Sequence, residues 1–127
     1  MNIKDQVLSI EQVQELQELG FDVEKNASVR WCDCSVCKRT YAPCFSYNEL
    51  RVDKKECPLT REVPTLTIGD IIKILPKEIE EQVLHIFAFG ETWSVGWEDI
   101  RYYGSNPLID ALFKTLKWCI KQKHIAL

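Results

Sequence analysis

The segment VLHIFAFGETWSVGWED, residues 83 to 99, constrains the fold more than any other stretch of the chain. Two alternating runs flank Gly90-Glu91, and a glycine at the first central position predicts a two-residue type II′ hairpin turn. That turn sets the register. Ala88 falls opposite Trp93, Ile86 opposite Val95 and Leu84 opposite Trp97, so one face is wholly apolar. The other face pairs Phe89 with Thr92, Phe87 with Ser94, His85 with Gly96 and Val83 with Glu98. A slip of one residue would mix the two faces. Cross-strand pairs that include Trp each add about 0.2–1 kcal/mol to such a ribbon.

Three helices have readable boundaries. Ser9 and Gln12 fit a capping box, with Leu8 and Val13 at the flanking staple positions. Val13, Leu16 and the nearby Leu19 continue the apolar stripe, and Gly20 is suited to end the helix, so a helix is expected over about 9–19. The same signal recurs at Thr67 and Asp70, with Leu66 and Ile71 as the staple. Ile68, Ile71, Ile72 and Leu75 share a face, and Pro76 stops this second helix because the residue before proline avoids helical geometry. The third is expected to open with Asn106 as N-cap and Pro107 at the first helical position. Leu108, Ile109, Leu112, Phe113, Leu116 and Ile120 give it a buried face, and Lys114, Lys117, Lys121 and Lys123 gather toward its negative end.

Residues 28–47 read as a first hairpin turning near Cys37 to Arg39, and residues 48–65 as a charged connecting loop with at most a short extended piece. The order is then helix, hairpin, helix, hairpin, helix. This predicts an α+β domain over residues 1–127, with a four-stranded, mainly antiparallel sheet packed by helices. The two hairpin–helix units resemble a loose ββα repeat.

A chain of 127 residues is long enough for one domain with a real core, and 46% apolar with 28% charged residues is ordinary globular composition. The formal charge of −3 gives no general reason to expect nucleic-acid or anionic-membrane binding. There is no transmembrane-length apolar run and no apolar core of a signal peptide near the start. A cytoplasmic protein with reduced thiols is therefore expected.

Six cysteines need an explanation, and four fall in RWCDCSVCKRTYAPCF, residues 30–45. Cys34 and Cys37 have zinc-knuckle spacing, and Cys32, Cys44 and Cys57 could supply further thiolates. Against this, Lys38 stands where a knuckle favours a small residue, and Cys44 and Cys57 lack a near partner. A turn at Lys38-Arg39 would also set Cys32 and Cys34, opposite Phe45 and Pro43, on one face and Cys37 and Cys44 on the other. Packing as small apolar side chains is the stronger reading. A thioredoxin-like role lacks the helix that such a motif caps. No metal or other cofactor is expected, and Cys119 reads as structural.

No motif identifies a reaction. His85 is the one histidine well inside an expected element, and a lone strand histidine is commonly structural. His124 is expected to fray with the C-terminal end. Glu78, Glu80 and Glu81 read as a solvated loop, and phosphate-loop, dinucleotide and nucleophile-elbow patterns are absent. Four lysines on one helix, without arginine or aromatic interleaving, read as solvent-facing charge. The unexplained feature is aromatic. His85, Phe87 and Phe89 share the face opposite the Trp residues, and Tyr102-Tyr103 follow nearby. Either the first helix covers that face or it binds a partner. The helix's own apolar stripe favours the first.

The blocks LSIEQVQELQELGFDVEKNAS, PTLTIGDIIKILPKEI and NPLIDALFKTLKWCIKQKHI together resemble a group of small uncharacterised proteins of Bacteroides-type gut bacteria, often carried with prophages or mobile elements. The resemblance covers most of the chain but rests on structural signals. It implies no activity and assigns no functional residues. It favours a small accessory or interaction protein.

The expected function is thus a non-catalytic interaction module with a protein partner, no membrane association and no nucleic acid. A homo-oligomer is compatible with it. His85, Phe87, Phe89, Tyr102 and Tyr103 are the candidate binding residues. The alternative is a zinc-stabilised cysteine-rich domain that contacts nucleic acid through the lysines of the last helix. An enzyme built on His85 and nearby carboxylates ranks third.

Overall fold

A computed structural model describes residues 5–34, 39–43 and 60–127. Among these the order is α1 (Ile10–Glu18), α2 (Val23–Asn26), β1 (Val29–Cys34), β2 (Arg39–Pro43), β3 (Thr60–Thr65), α3 (Ile68–Ile74), β4 (Glu78–Ile79), β5 (Gln82–Phe89), β6 (Thr92–Trp97), β7 (Arg101–Ser105) and α4 (Leu108–Lys121). The class is α+β, with all described strand pairs antiparallel. The strands form two sheets, in the orders β2-β1-β3 and β4-β5-β6-β7. The two expected hairpins therefore lie in separate sheets. Three strands precede α3 and four precede α4, so the element order is not a simple ββα repeat.

Both capping boxes form. Gln12 N–H donates to Ser9 Oγ at 3.1 Å, and Ser9 N–H donates to Gln12 Oε1 at 2.9 Å. At α3, Asp70 N–H donates to Thr67 Oγ1 at 3.0 Å, and Thr67 N–H donates to Asp70 Oδ2 at 3.1 Å. The staple residues Leu8, Val13, Leu66 and Ile71 are all fully buried. The two helix starts are joined directly, since Leu8 N–H donates to Leu66 O and Ile68 N–H donates to Gln6 O. Leu75 is extended before Pro76, with ψ 139°. Gly20, at φ 89°, closes α1, where Phe21 N–H bonds Leu16 O and Gly20 N–H bonds Gln17 O.

The third helix starts one residue later than expected. Pro107 has ψ 175°, which makes it the N-cap, and the helix starts without a side-chain cap bond. The helix ends in the same motif as α1, with His124 N–H on Cys119 O and Lys123 N–H on Ile120 O. Here Lys123 takes the left-handed position, φ 62°, that glycine takes in α1. His124 is held, not frayed, because its ring also packs on Trp118 at 5.1 Å.

Helix α4 organises the core. It packs on β6, β7 and α3. Ile109, Leu112, Leu116, Cys119 and Ile120 join Val95 and Trp97 from the sheet, Val13 and Leu16 from α1, and Ile71 from α3 in one buried cluster. Gln12 Nε2 on α1 donates to Asp110 Oδ1 at 2.9 Å, and Lys117 meets Glu15 at 3.3 Å. A smaller cluster of Val7, Val29 and Trp31 ties in the three-stranded sheet. Trp31 Nε1 and Thr65 Oγ1 both donate to the buried Leu8 carbonyl, each at 2.8 Å. Both lone pairs of one carbonyl are thereby used across the junction.

Three expectations about strands change. The β5–β6 register is as read from Leu84↔Trp97 to Phe89↔Thr92, but Val83 pairs with Glu78 of β4 and not with Glu98. In the first hairpin, Trp31 pairs with Pro43 and Cys32 with Ala42, and the register shifts before Cys34↔Arg39. Cys32 therefore faces Ala42 and Cys34 faces Arg39, not Phe45 and Pro43, so the pairing differs from a tight two-residue turn at Lys38-Arg39 over its whole length. The end of the expected loop is strand β3, an edge strand on which Pro64 needs no second ladder partner.

The acidic loop after Pro76 is also a hairpin. Glu80 and Glu81 sit at φ 49° and 69° between the Ile79↔Gln82 pair, the geometry of a type I′ turn. Non-glycine residues resist that geometry by about 1 kcal/mol or more each. The double substitution Glu80→Asn with Glu81→Gly is expected to stabilise the fold by about 1 kcal/mol net. Denaturant unfolding should show a higher midpoint at unchanged slope. A lower midpoint would mean that the turn is not of this type.

Candidate functional site on the outer face of the four-stranded sheet

The inner face of β6 and β7 is covered by α4, and the outer face of β5–β7 is not covered by any described element. Alternation places Val83, His85, Phe87 and Phe89 of β5 on that outer face. Phe89 is 82% exposed, Val83 58% and Phe87 44%, so three apolar side chains of one strand face meet solvent, Phe87 and Phe89 as neighbours and Val83 beyond His85. One such residue would be ordinary on a protein surface, but three on one strand face mark a contact surface. Helix α1 does not cover it, contrary to the expectation from its stripe. Val13 and Leu16 are spent on the main core instead.

Pairing across β6 shapes the surface. The rows read His85–Gly96–Tyr102 and Phe87–Ser94–Gly104, with Phe89–Thr92 at the end. Large side chains thus stand on β5, while β6 and β7 present mostly small ones. The result is an aromatic ridge beside a low floor, with Tyr102 at one end. Gly96 leaves a gap between His85 and Tyr102, and the two close over it. His85 Nδ1 lies 3.2 Å from Tyr102 Oη, and the Phe87 and Tyr102 rings meet edge to face with centroids 5.7 Å apart. Either imidazole tautomer accommodates this contact, because the phenol can donate or accept. The bracing fixes Tyr102 and Phe87 before any partner arrives.

Tyr103 is not part of this surface. It neighbours Tyr102 in a strand, so it points to the other side, opposite Val95, where Arg101 Cζ lies 5.3 Å from its ring centre. The structure therefore brings together four of the five candidate residues, His85, Phe87, Phe89 and Tyr102. Sequence reasoning missed the roles of Gly96, Ser94 and Gly104. The signal was present for Gly96 and Ser94, which the hairpin register already set opposite His85 and Phe87.

The electrostatics of the face are one-signed. Glu78 pairs with Val83 at the β4 edge. Glu98 and Asp99 occupy the turn beside Tyr102. Desolvation first, then the charges of Glu98 and Asp99, raise the Tyr102 phenol above its ordinary value. Asp99 has φ 64° in a turn closed by Ile100 N–H on Trp97 O, which is how it comes to stand beside that end of the sheet. The neighbouring cations are turned elsewhere. Lys77 Nζ donates to the Leu75 carbonyl at 2.9 Å and also reaches Ile72 O, while Arg101 lies over Tyr103. No Lys or Arg occupies an outer-face position on β4–β7.

Other chemistry finds little support among the described residues. His85 has no carboxylate partner, and its one hydrogen-bonding contact is Tyr102. A groove of about 480 Å³ runs between Phe21, Lys25, Asp70, Ile74 and the segment Ile125–Leu127, away from His85. Asp70 there is committed to Thr67 and to Ser28, whose hydroxyl donates to it at 2.7 Å. No three His, Cys, Asp or Glu side chains among the described residues form a metal-ligand group. Cys37, Cys44 and Cys57, on which the zinc reading depends, lie outside the described residues. Cys119 is fully buried, and burial pushes its thiol up to about 12, which keeps it protonated and unreactive at neutral pH. The lysines of α4 are dispersed. Lys117 pairs with Glu15 and lies over Phe113, and Lys114 reaches the Gly104 carbonyl.

No helix among the described residues is long and apolar enough to cross a membrane. No protein-family model, curated protein or solved structure matches the chain.

Proposed function

We propose that this protein is a non-catalytic accessory module that holds a partner protein on the outer face of β5–β7. The observation that carries the reading is the exposure of Phe87 and Phe89, with Val83 beyond His85, beside a braced Tyr102, on a sheet whose other face packs on α4. Aromatic side chains on a rigid strand lose little conformational freedom on binding and bury large areas, which makes them effective anchors. The surface offers no nucleophile paired to a base that an acid orients, and no enclosed cavity, so recognition suits it better than turnover. Its acidic margin disfavours phosphate backbones, and a protein partner follows. Carriage with a prophage or mobile element, a cytoplasmic setting and independence of any cofactor belong to the same proposal.

The double variant Phe87→Ser with Phe89→Ser tests it. Both residues are exposed, so the melting temperature should stay within a few degrees of wild type. Affinity for a partner reconstituted from purified components should fall by about a hundredfold, the loss typical of removing hot-spot aromatics. Isothermal titration with both proteins gives the comparison. Equal affinities would place the contact elsewhere on the molecule.

A further inference from the structure

Resting on that reading of the outer sheet face, we infer that its occupant is a cationic, partly apolar segment of the partner protein. The apolar ridge of Phe87 and Phe89 needs apolar contacts. The margin formed by Glu78, Glu98 and Asp99 needs positive charge, and among the described residues no Lys or Arg side chain supplies it. Charge complementarity of this kind steers encounter and suppresses wrong partners. The exposed rings add to the preference, because Arg and Lys are attracted to aromatic faces. The floor over Ser94 and Gly104 is where such a segment lies, with its cations toward the Glu98–Asp99 end and its apolar residues against β5. A nucleic acid would bring its phosphates to the same carboxylates. A second copy would bring another uncompensated acidic margin.

The experiment uses the full chain, isotope-labelled, and three synthetic peptides of equal length. One alternates arginine with valine; in the others glutamine or glutamate replaces arginine. The arginine peptide should shift the NMR signals of Phe87, Phe89, Gly96 and Tyr102 and bind at least about tenfold more tightly than the glutamine peptide. The glutamate peptide should bind most weakly. The triple variant Glu78→Gln, Glu98→Gln, Asp99→Asn should erase the preference for arginine, and Phe87→Ser with Phe89→Ser should remove binding of all three. If the glutamine peptide shifts the same signals with the same affinity as arginine, the cationic inference fails while the docking face stands. If the peptides leave these signals unmoved, or move signals elsewhere, both fail. Shifts of this face on adding a single-stranded oligonucleotide, or on concentrating the protein alone, would replace the cationic segment by nucleic acid or by a second copy.

Discussion

Gly96→Ala is expected to cost more than about 4 kcal/mol, a loss that few single substitutions reach. The reason is steric and local. A methyl group at Gly96 would collide with the Arg101 carbonyl oxygen and come within 2.7 Å of Tyr102 Cα. Both obstacles are backbone, so no rotamer change relieves them. Strand β7 would have to move away from β6, breaking the pairing from Trp93↔Ser105 to Trp97↔Arg101. Because β7 also packs on α4, the strain would reach the main core. Gly104→Ala is the control on the same sheet. Its methyl would lie 3.4 Å from Thr92 Cγ2 and 3.5 Å from Trp93 O, ordinary contacts that should change stability by less than about 1 kcal/mol. Hydrogen exchange would separate the two variants, with β7 amides losing protection in Gly96→Ala alone. An alanine at 96 that leaves those amides protected would contradict the close approach of β6 and β7.

Gly96 also shows which parts of the fold can be read from sequence and which cannot. The register of β5 and β6 was legible because strict alternation and a Gly-Glu turn point to one pairing. The two capping boxes were legible because Ser9 with Gln12 and Thr67 with Asp70 satisfy helix-end donors within four residues of chain. Pairings that depend on strands far apart in sequence were not. Strand β3 carries Pro64 and the charged pair Arg61-Glu62, and only its partner β1 makes it a strand. The Glu80-Glu81 turn lacks the Asn or Gly that normally announces its type. Lys123 hides a helix-ending motif for the same reason. Turns held by tertiary structure against local preference leave no local signal.

The candidate surface was half legible. Period-two alternation grouped His85, Phe87 and Phe89 before any fold was known. Whether that group was covered depended on where α1 spends its apolar stripe, and the α1–α4 contact through Gln12 and Asp110 spans nearly the whole chain. Tyr102 and Tyr103 looked equivalent as neighbours that follow the second hairpin. Placed in β7 they part, one to each face, because adjacent strand residues point opposite ways. The acidic margin depended on the turn at Glu98 and Asp99, whose geometry a sequence with aspartate at the left-handed position does not declare.

Trp97→Ala is expected to destabilise the fold by about 3–5 kcal/mol, a large share of the roughly 5–15 kcal/mol that holds a domain of this kind together. Trp97 is fully buried on the inner sheet face at the end of β6. Its ring packs on Trp118 with centroids 6.0 Å apart, and Trp118 in turn carries His124. Its Nε1 donates to the Pro76 carbonyl at 3.2 Å, which ties the end of the α3 segment to the sheet. Two substitutions separate these contributions. Trp97→Phe keeps most of the ring and gives up the donor, so it should cost about 1–2 kcal/mol, the range for one partly buried hydrogen bond with modest lost packing. Trp97→Ala removes both and opens a cavity that α4 cannot close without leaving the sheet. The stack also makes a local prediction. With Trp97 gone, Trp118 loses its support and the helix-ending turn at Lys123, already in an unfavourable conformation, should open first. The His124 amide, bonded to Cys119 O, should then exchange faster in Trp97→Ala than the loss of global stability alone requires. If its exchange follows the global change and nothing more, the turn is held by its own backbone bonds and the Trp97–Trp118–His124 stack is packing without consequence for the end of α4.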